Sequence, residues 1–530
     1  MIITLTAIAL ALLLVNLCLE LKRDLMMFQQ NSYMLGRYRA WIGESGDTTS
    51  VWRLGGLVIF FISLSTLSHP YGALALAGLF GGVCAWTLFS ASYKKPLVWT
   101  ARARRLYAVA LLVTAGICVA AVALFDHGTA FEVLYTLSIT LLGCYCGSHL
   151  IMAFASIVLQ PVEKANNRRY YNDAARILRA MPDLRIVGIT GSYGKTSTKH
   201  FLYRILSEQY DTLMTPGNFN TTLGVIRTVR EHLKPYNEVF ICEMGAKNIG
   251  DIKEICDLVH PGYGIITAVG PQHLESFRTI ENVQATKFEL ADALPAEGVV
   301  VLNQDFPKIA DRPVANCRCL RYGVGDSGAD YRAEDVRYTP EGTTFAIVGP
   351  DGWKLCVKTR LMGECNVSDL LAAAVMARQL GIPDAKIVTA IAAIEPVEHR
   401  LSVKNAGGIT ILDDAYNSNP VGSRMALEVL GTFKGGKRIC VTPGMVELGP
   451  EQYELNFELG KHVAANADVA IIVNKVNRDA LVSGIKDTGT FPQADLHVVD
   501  SFAEAQRVLA GLASSGDTVL YENDLPDTLK

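Results

Sequence analysis

Charge is scarce in this sequence. Only 19% of its 530 residues are Asp, Glu, Lys or Arg, against 50% hydrophobic ones, a balance that points to lipid contact over part of the chain. A surplus of either sign is missing as well: 49 basic against 52 acidic side chains leave a formal charge of -3. With no basic stripe interleaved with aromatics, no nucleic-acid partner is expected. Paired cysteine spacings are lacking too. Five of the twelve cysteines lie in the apolar N-terminal part, and Cys144-x-Cys146 and Cys317-x-Cys319 are too close for a zinc knuckle, with no second pair at a suitable spacing. All twelve therefore read as reduced thiols in a cytosolic and membrane setting. A cleavable leader is the last absence. The opening apolar run, residues 2–19, has no small-residue cleavage site, and its first charges, Glu20, Lys22 and Arg23, come after it rather than before. It reads as a retained membrane helix.

What is present changes character near residue 160. Residues 54–92 are uncharged and long enough for two spans, with Ser68-His-Pro-Tyr-Gly72 as the turn between them; residues 106–125 and 133–159 complete a count of about five,. Lys22, Arg23, Arg37, Arg39 and Arg53 fall between the first two spans. Lys94, Lys95, Arg102, Arg104 and Arg105 fall between the third and fourth, and Lys164, Arg168 and Arg169 follow the last, whereas residues 126–132 contain no lysine or arginine. Positive charge gathers in cytoplasmic loops, so everything after the last span is expected to face the cytoplasm. Within the spans only His149 reads as ionisable, and it is expected to be packed rather than to relay protons.

Past residue 160 the chain reads as a soluble α/β enzyme organised around residues 184–197, LRIVGITGSYGKTS. A short apolar run enters a glycine-rich turn, and a helix-forming run leaves it. Gly191 and Gly194 let consecutive N–H groups of the loop, which also holds Ser192, Tyr193 and Ser197, face one concave point,. The positive end of the helix starting near Lys195 adds to the attraction for an anion. Lys195 would reach the β- and γ-phosphates of a nucleotide, and Thr196 would place a hydroxyl on Mg²⁺. Ile189 stands where the general Walker pattern has glycine, which makes this the compact T-G-x-x-G-K-T form.

Apolar runs at 239–242, 263–269 and 299–302 read as buried strands of a parallel sheet covered by helices,. At their carboxyl ends, where such sheets gather functional residues, fall Glu243, His273, Asn303 and Asp305,. A carboxylate and an imidazole at neighbouring strand ends could share a metal ion. Further strands are expected at 409–412, 438–442, 469–473, 496–499 and 518–521. The expected organisation is an α-helical membrane region at 1–160, a P-loop parallel-sheet ATP-binding domain at 161–397 and a C-terminal Rossmann-like α/β domain at 398–530.

From about residue 184 onward the chain resembles the Mur ligase family, the ATP-dependent amide ligases of peptidoglycan precursor synthesis. Thr190-Gly-Ser-Tyr-Gly-Lys-Thr-Ser197 resembles the family's P-loop. Thr215-Pro-Gly-Asn-Phe-Asn220 followed by Leu223-Gly224 resembles the turn of the D-alanyl-D-alanine-adding branch, and Glu243-Met-Gly-Ala246 its metal-site strand. Gly270-Pro-Gln-His-Leu-Glu275, Ala285-Thr-Lys-Phe-Glu289, Asn366-Val367, Asp413-Asp-Ala-Tyr-Asn-Ser-Asn-Pro420 and Met445-Val-Glu-Leu-Gly449 follow in family order.

The resemblance implies that ATP activates a carboxylate as an acyl phosphate, which an amine then attacks to give an amide. It implies ATP and Mg²⁺ as cofactors, with Lys195 and Thr196 holding the triphosphate and first metal. Glu243 and His273 resemble ligands of a second Mg²⁺, and Lys287 the lysine that this family carbamylates to help hold it. Two metals would offset the repulsion between carboxylate and γ-phosphate. Asn366 resembles the adenine contact, Arg400 the linker arginine that reaches phosphate, and Asp414 the ribose contact. The implied partners are a carboxylate-bearing cell-wall precursor, an amino acid or dipeptide as the amine, membrane lipid and other envelope-synthesis enzymes. The expected setting is the bacterial cytoplasmic membrane, multi-pass, with the catalytic domains in the cytoplasm.

Departures cluster around the acceptor and the amine. The usual G-D-M-x-E-L-G is Pro443-Gly444-Met445-Val-Glu-Leu-Gly449, the histidine before Asn366 is Cys365, and an asparagine before the metal-site histidine is Ala268. A K-G-S-R type ending has become Tyr521-Glu-Asn-Asp-Leu-Pro-Asp527. Acidic groups there would repel a free carboxylate, so an amine other than D-alanyl-D-alanine is expected. The spans stand in place of the family's UDP-sugar domain, so the acceptor is lipid-linked or handed over near the membrane, or the spans are a plain anchor. The alternatives to a ligase are a membrane NTPase powering transport and an inactive scaffold. A scaffold need not keep Lys195, Glu243, His273 and Asp414 together, and a pump should show more than one intramembrane charge.

Overall fold

The N-terminal apolar helix continues well past its first charges, to Gln30, in the computed structural model, which describes residues 2–65, 70–93, 95–125, 128–325, 328–339, 342–415 and 418–525. Of the residues named above, Ser68, His69, Lys94, Asp126, Tyr416, Asn417, Pro526 and Asp527 lie outside the described residues. The chain divides into a helical unit reaching Arg168 and an α/β unit spanning Arg169–Leu525.

The helical unit contains α1 (Ile2–Gln30), α2 (Leu35–Glu44), α3 (Val51–Ser65), α4 (Pro70–Ser90), α5 (Ala101–Leu124), α6 (Ala130–Cys146) and the first turns of α7 (Ser148–Arg179). Among the described residues α1, α4 and α5 are long and apolar enough to cross a membrane, while α3 is a shorter apolar helix. Residues 133–159, read from sequence as one span, are two helices bent by 79° at the junction of α6 and α7. Small residues set the packing of α1 on α4: a side chain at Gly78 would lie 2.7 Å from the Ala9 Cβ, the kind of close approach that holds helices together where lipid gives no hydrophobic drive.

Extending α1 carries Glu20 and Asp24 into the interior, where Asp47 and Arg53 are also buried. Arg53 reaches Glu20 at 2.7 Å and Asp47 at 3.3 Å, and donates to Ser148 Oγ at 2.9 Å and to the Tyr145 carbonyl. Arg23 pairs with Glu20 and Asp47. Sequence alone placed these groups in a loop and left His149 as the one ionisable residue of the spans. The structure corrects this, because nothing stops α1 at Leu19 and each carboxylate it buries requires a cation. Replacing Arg53 with Met leaves Arg23 alone against three carboxylates and is expected to cost about 3–5 kcal/mol of stability. Thermal unfolding of the full chain in detergent measures this; an unchanged transition would mean that the network is incidental.

Among the described residues the α/β unit holds two sheets. The first, in the order β2-β3-β1-β4-β5-β6-β7-β8-β9, is built from β1 (Arg185–Thr190), β2 (Thr212–Met214), β3 (Val239–Glu243), β4 (Tyr263–Ile266), β5 (Val299–Asn303), β6 (Arg318–Val324), β7 (Tyr331–Thr339), β8 (Gly342–Val348) and β9 (Lys354–Thr359). Pairings are parallel from β2 to β7 and antiparallel from β7 to β9. Side chains alternate faces along each strand, and both faces are covered. Val187, Ile189, Val239, Ile241, Val299 and Val301 belong to one core; Ile186, Phe240, Cys242, Val300 and Leu302 belong to the other. That double burial is why the sequence showed continuous apolar runs rather than alternation. The chain leaves β1 toward β2 on one side and leaves the adjacent β4 toward β5 on the other. The carboxyl ends of β1 and β4 therefore frame the switch point at which such sheets bind ligands.

The second sheet runs β10-β11-β15-β12-β13-β14, from β10 (Ser402–Ala406), β11 (Ile409–Asp414), β12 (Arg438–Thr442), β13 (Val469–Val473), β14 (Leu496–Val499) and β15 (Thr518–Glu522). Only β10 is antiparallel to its neighbour. The fold class expected for this part, two α/β domains after a helical region, is the one observed.

Candidate active site

The loop after β1 closes tightly because two of its residues carry no side chain. Gly191 has φ 152° and Gly194 φ 77°. A Cβ at Gly191 would fall 2.1 Å from Thr267 Oγ1, and one at Gly194 would fall 2.3 Å from Asp369 Oδ1; no other residue fits either place. Ser192 ties the loop to the segment after β4, since its N–H donates to the Ala268 carbonyl at 2.7 Å and its hydroxyl to the Gly270 carbonyl at 3.1 Å. Tyr193 donates its hydroxyl to the Pro271 carbonyl at 2.8 Å. Gly194 then caps α8 (Lys195–Leu206) with no side-chain hydrogen bond, which presents the first N–H groups of the helix to an anion.

Lys195 Nζ donates to the Gly191 carbonyl at 2.6 Å and the Ser192 carbonyl at 3.2 Å. Burial lowers its pKa to about 8, against the pull of Glu243. Thr196 Oγ1 donates to Glu243 Oε1 at 3.1 Å, and Asn220 Nδ2 donates to the same oxygen at 3.0 Å. Burial pushes Glu243 upward, but the ammonium groups of Lys199 and Lys195 and the Asn220 bond outweigh it and hold the carboxyl below its usual range. A hydroxyl and an ionised carboxylate brought to one point are hard oxygen donors, and they fit Mg²⁺.

Lys287 is buried, 5.9 Å from the centre of the Phe277 ring. Burial, and then the charge of Lys195, lowers its pKa to about 7. His273 takes a left-handed backbone conformation and meets Glu447, from the Met445–Gly449 segment. Burial lowers its pKa, opposed by Glu447. Among the described residues no hydrogen bond or ion pair joins His273 to Glu243.

A cavity of about 290 Å³ gathers Tyr193, Ser197, Asn303, Asn366, Arg400 and Asp414 in its lining, of which Gly191, Ser192, Lys195 and Thr196 are not part. Asn303 Nδ2 donates to the Thr267 carbonyl at 2.9 Å and Asn366 Nδ2 to the Met362 carbonyl at 2.8 Å. Asp414 Oδ1 accepts from the Leu401 N–H at 2.9 Å. Arg400 acts electrostatically on Asp414, Lys195 and Asp369.

Residues 189–377 match the Mur ligase middle domain, and residues 399–521 match the Mur ligase glutamate ligase domain. The UDP-N-acetylmuramoyl-tripeptide--D-alanyl-D-alanine ligase of Mycobacterium leprae (strain TN) is 30% identical over 64% of this chain and 71% of its own length. The chain belongs to the Mur ligase family. With that family go ATP-dependent, ADP-forming ligases. The ligase of the same name from Bacillus subtilis (strain 168) is 27% identical over 64% of this chain and 72% of its own. The crystal structure of MurF ligase from Thermotoga maritima in complex with ADP superposes with a TM-score of 0.61, at 25% identity over 68% of this chain and 80% of that one.

Three residues of this Mur ligase site escaped the sequence reading. Lys199, fully buried, lies 3.0 Å from Glu243 Oε2; it stands one helical turn after Lys195, and that i,i+4 spacing was the available signal. Asp369 accepts from Thr198 Oγ1 at 3.1 Å and is raised by burial to about 8; its place three residues after Asn366 puts it on the same helix face. Glu447 meets His273 across 174 residues of sequence, a separation that no local pattern reveals.

Proposed function

We propose that this Mur ligase is an ATP-dependent amide ligase of cell-envelope precursor synthesis, carried by a multi-pass helical region in the bacterial cytoplasmic membrane with its catalytic domains in the cytoplasm. The observation that carries the reading is the P-loop whose Thr196 meets Glu243 at 3.1 Å, in the same unit as a cavity lined by Asn366, Arg400 and Asp414.

The reaction proceeds in two displacements. A substrate carboxylate oxygen attacks the γ-phosphorus of ATP, ADP leaves and an acyl phosphate forms. The amine nitrogen then attacks the acyl carbon, phosphate leaves, and the nitrogen gives up a proton to complete the amide. Lys195 and the first N–H groups of α8 hold the triphosphate, and Arg400 adds a second cation where charge accumulates. Thr196 and Glu243 would hold Mg²⁺, which supplies positive charge between two anionic reactants. Lys199 keeps Glu243 ionised for that task. Asn366 and Asp414 orient the adenosine. Lys287, neutral above pH about 7, can add its nitrogen to CO₂ and release a proton, becoming a carbamate that serves with His273.

The amine is D-alanyl-D-alanine or a similar dipeptide, as in the names of the relatives. Of the acidic ending, Glu522 is buried and Asp524 exposed, while Asp527 lies outside the described residues. The test is ADP release by the full chain in detergent, with UDP-linked or lipid-linked muramoyl peptide and a panel of amino acids and dipeptides. Release that requires both a carboxylate acceptor and an amine is expected. ATP hydrolysis independent of both, with no amide product, would favour the membrane NTPase instead.

A further inference from the structure

The strand end Tyr521-Glu522-Asn523 carries an acidic residue where the family resemblance leads one to expect a basic ending, and the proposed reaction makes no use of it. Glu522 on β15 stands in register with Asp414 on β11, so the two adjacent parallel strands turn both carboxyl groups to one face. Glu522 is fully buried. Its Oε1 accepts a hydrogen bond from Ser418 Oγ, and its Oε2 has no hydrogen-bond partner. Asp414 and Ser418 both line the cavity, and Glu522, which is not part of the lining, is bonded to Ser418.

Among the described residues the groups that act on Glu522 are Asp414 and Ser418, with no cation. The Cys440 thiol on β12 also faces it, while Arg400 and Asp413 act on Asp414. Of two carboxylates side by side on one face, Glu522 fully buried and Asp414 half-buried at the cavity wall, the buried one gives up its charge first,. One proton resolves the arrangement: on Glu522 Oε2 it is donated to Asp414, and each Glu522 oxygen then has a partner.

We propose that Glu522 is a positioning residue of the nucleotide pocket, a carboxylic acid that donates to Asp414 and accepts from Ser418 and so fixes the two groups presented to the ribose of ATP. This rests on reading the cavity as a nucleotide site. A basic residue there would hold Asp414 by charge; a carboxylic acid holds it only while it keeps its proton. Burial, and then the charge of Asp414, push Glu522 well above the usual carboxylate range; burial raises Asp414 to about 6, opposed by Arg400. The arrangement therefore holds while Glu522 keeps its proton and Asp414 is ionised, and it is lost as pH rises through the raised ionisation of Glu522.

Titration calorimetry of ATP on the full chain in detergent, for wild type, E522Q, E522L and D414N, tests this. E522L should raise the Kd by about tenfold, the loss of a hydrogen bond to a charged group. E522Q, which keeps a donor for Asp414 and an acceptor for Ser418, should recover most of that. Lys195 also loses charge near pH 8, so the variants are compared at each pH: the ratio of wild-type to E522Q Kd should grow as pH rises. Should E522L fail to fold, the isosteric E522Q and its pH series decide alone. A flat ratio, an E522Q as weak as E522L, or an E522L that binds like wild type while D414N is weakened would overturn the proposal. If D414N binds ATP like wild type while Lys195→Ala does not bind, the ribose placement of Asp414 itself fails.

Discussion

Lys195→Ala is expected to lower ADP production by about a thousandfold or more, with the thermal transition of the protein unchanged. Among the described residues the Lys195 ammonium makes hydrogen bonds only to carbonyls of its own loop, Gly191 and Ser192, so the core loses little when it is removed. What is lost is the charge that meets the phosphates at the N-terminus of α8, where no side chain caps the helix. A planar guanidinium does not reproduce a compact ammonium in so small a turn, so Lys195→Arg should fail nearly as badly. Steady-state ADP release and a melting curve on the same preparation are the measurement. Undiminished ADP release from the alanine variant would end the ligase reading.

Lys287→Ala is expected to lower the rate by about a hundredfold or more, as for loss of a group that holds a metal ligand set. The pH argument gives this prediction its particular form. Burial and the charge of Lys195 bring Lys287 down to about 7, so below that value the amine is a cation with no lone pair for CO₂, and above it the amine is free. Removing dissolved CO₂ should slow the wild type and bicarbonate should restore it, with faster restoration above pH 7 than below. A wild-type rate indifferent to bicarbonate, together with a fully active Lys287→Arg, would show that Lys287 acts as a plain buried cation.

How far the site could be read from sequence follows the length scale of each interaction. The P-loop is legible because its requirements are local: two glycines where any Cβ would collide, a lysine and a hydroxyl at the start of a helix. The strands expected at 438–442, 469–473 and 496–499 coincide at both ends with β12, β13 and β14; β12 and β13 are buried on both faces and so are written as apolar runs, whereas β14 is a partly exposed edge strand. β7, with the sequence YRAEDVRYT, was passed over because a strand near the edge of a sheet, with one wet face, tolerates charge. The N-terminal helix was cut short for the opposite reason: Glu20 and Asp24 look like its end until Arg53 is seen folded against them.

Sequence alone therefore decides the family, the order of α and β elements and the chemistry on offer, because apolar periodicity and backbone sterics act between near neighbours. Partnership was decided by the tertiary structure. Lys199 on Glu243, Asp369 on Thr198 across 171 residues, Glu447 on His273 and Glu522 beside Asp414 all depend on which strands lie side by side. The same carboxylate is solvated in a loop and costs nothing, or is buried at a strand end and must find a cation or a proton. Only the fold determines which of these holds.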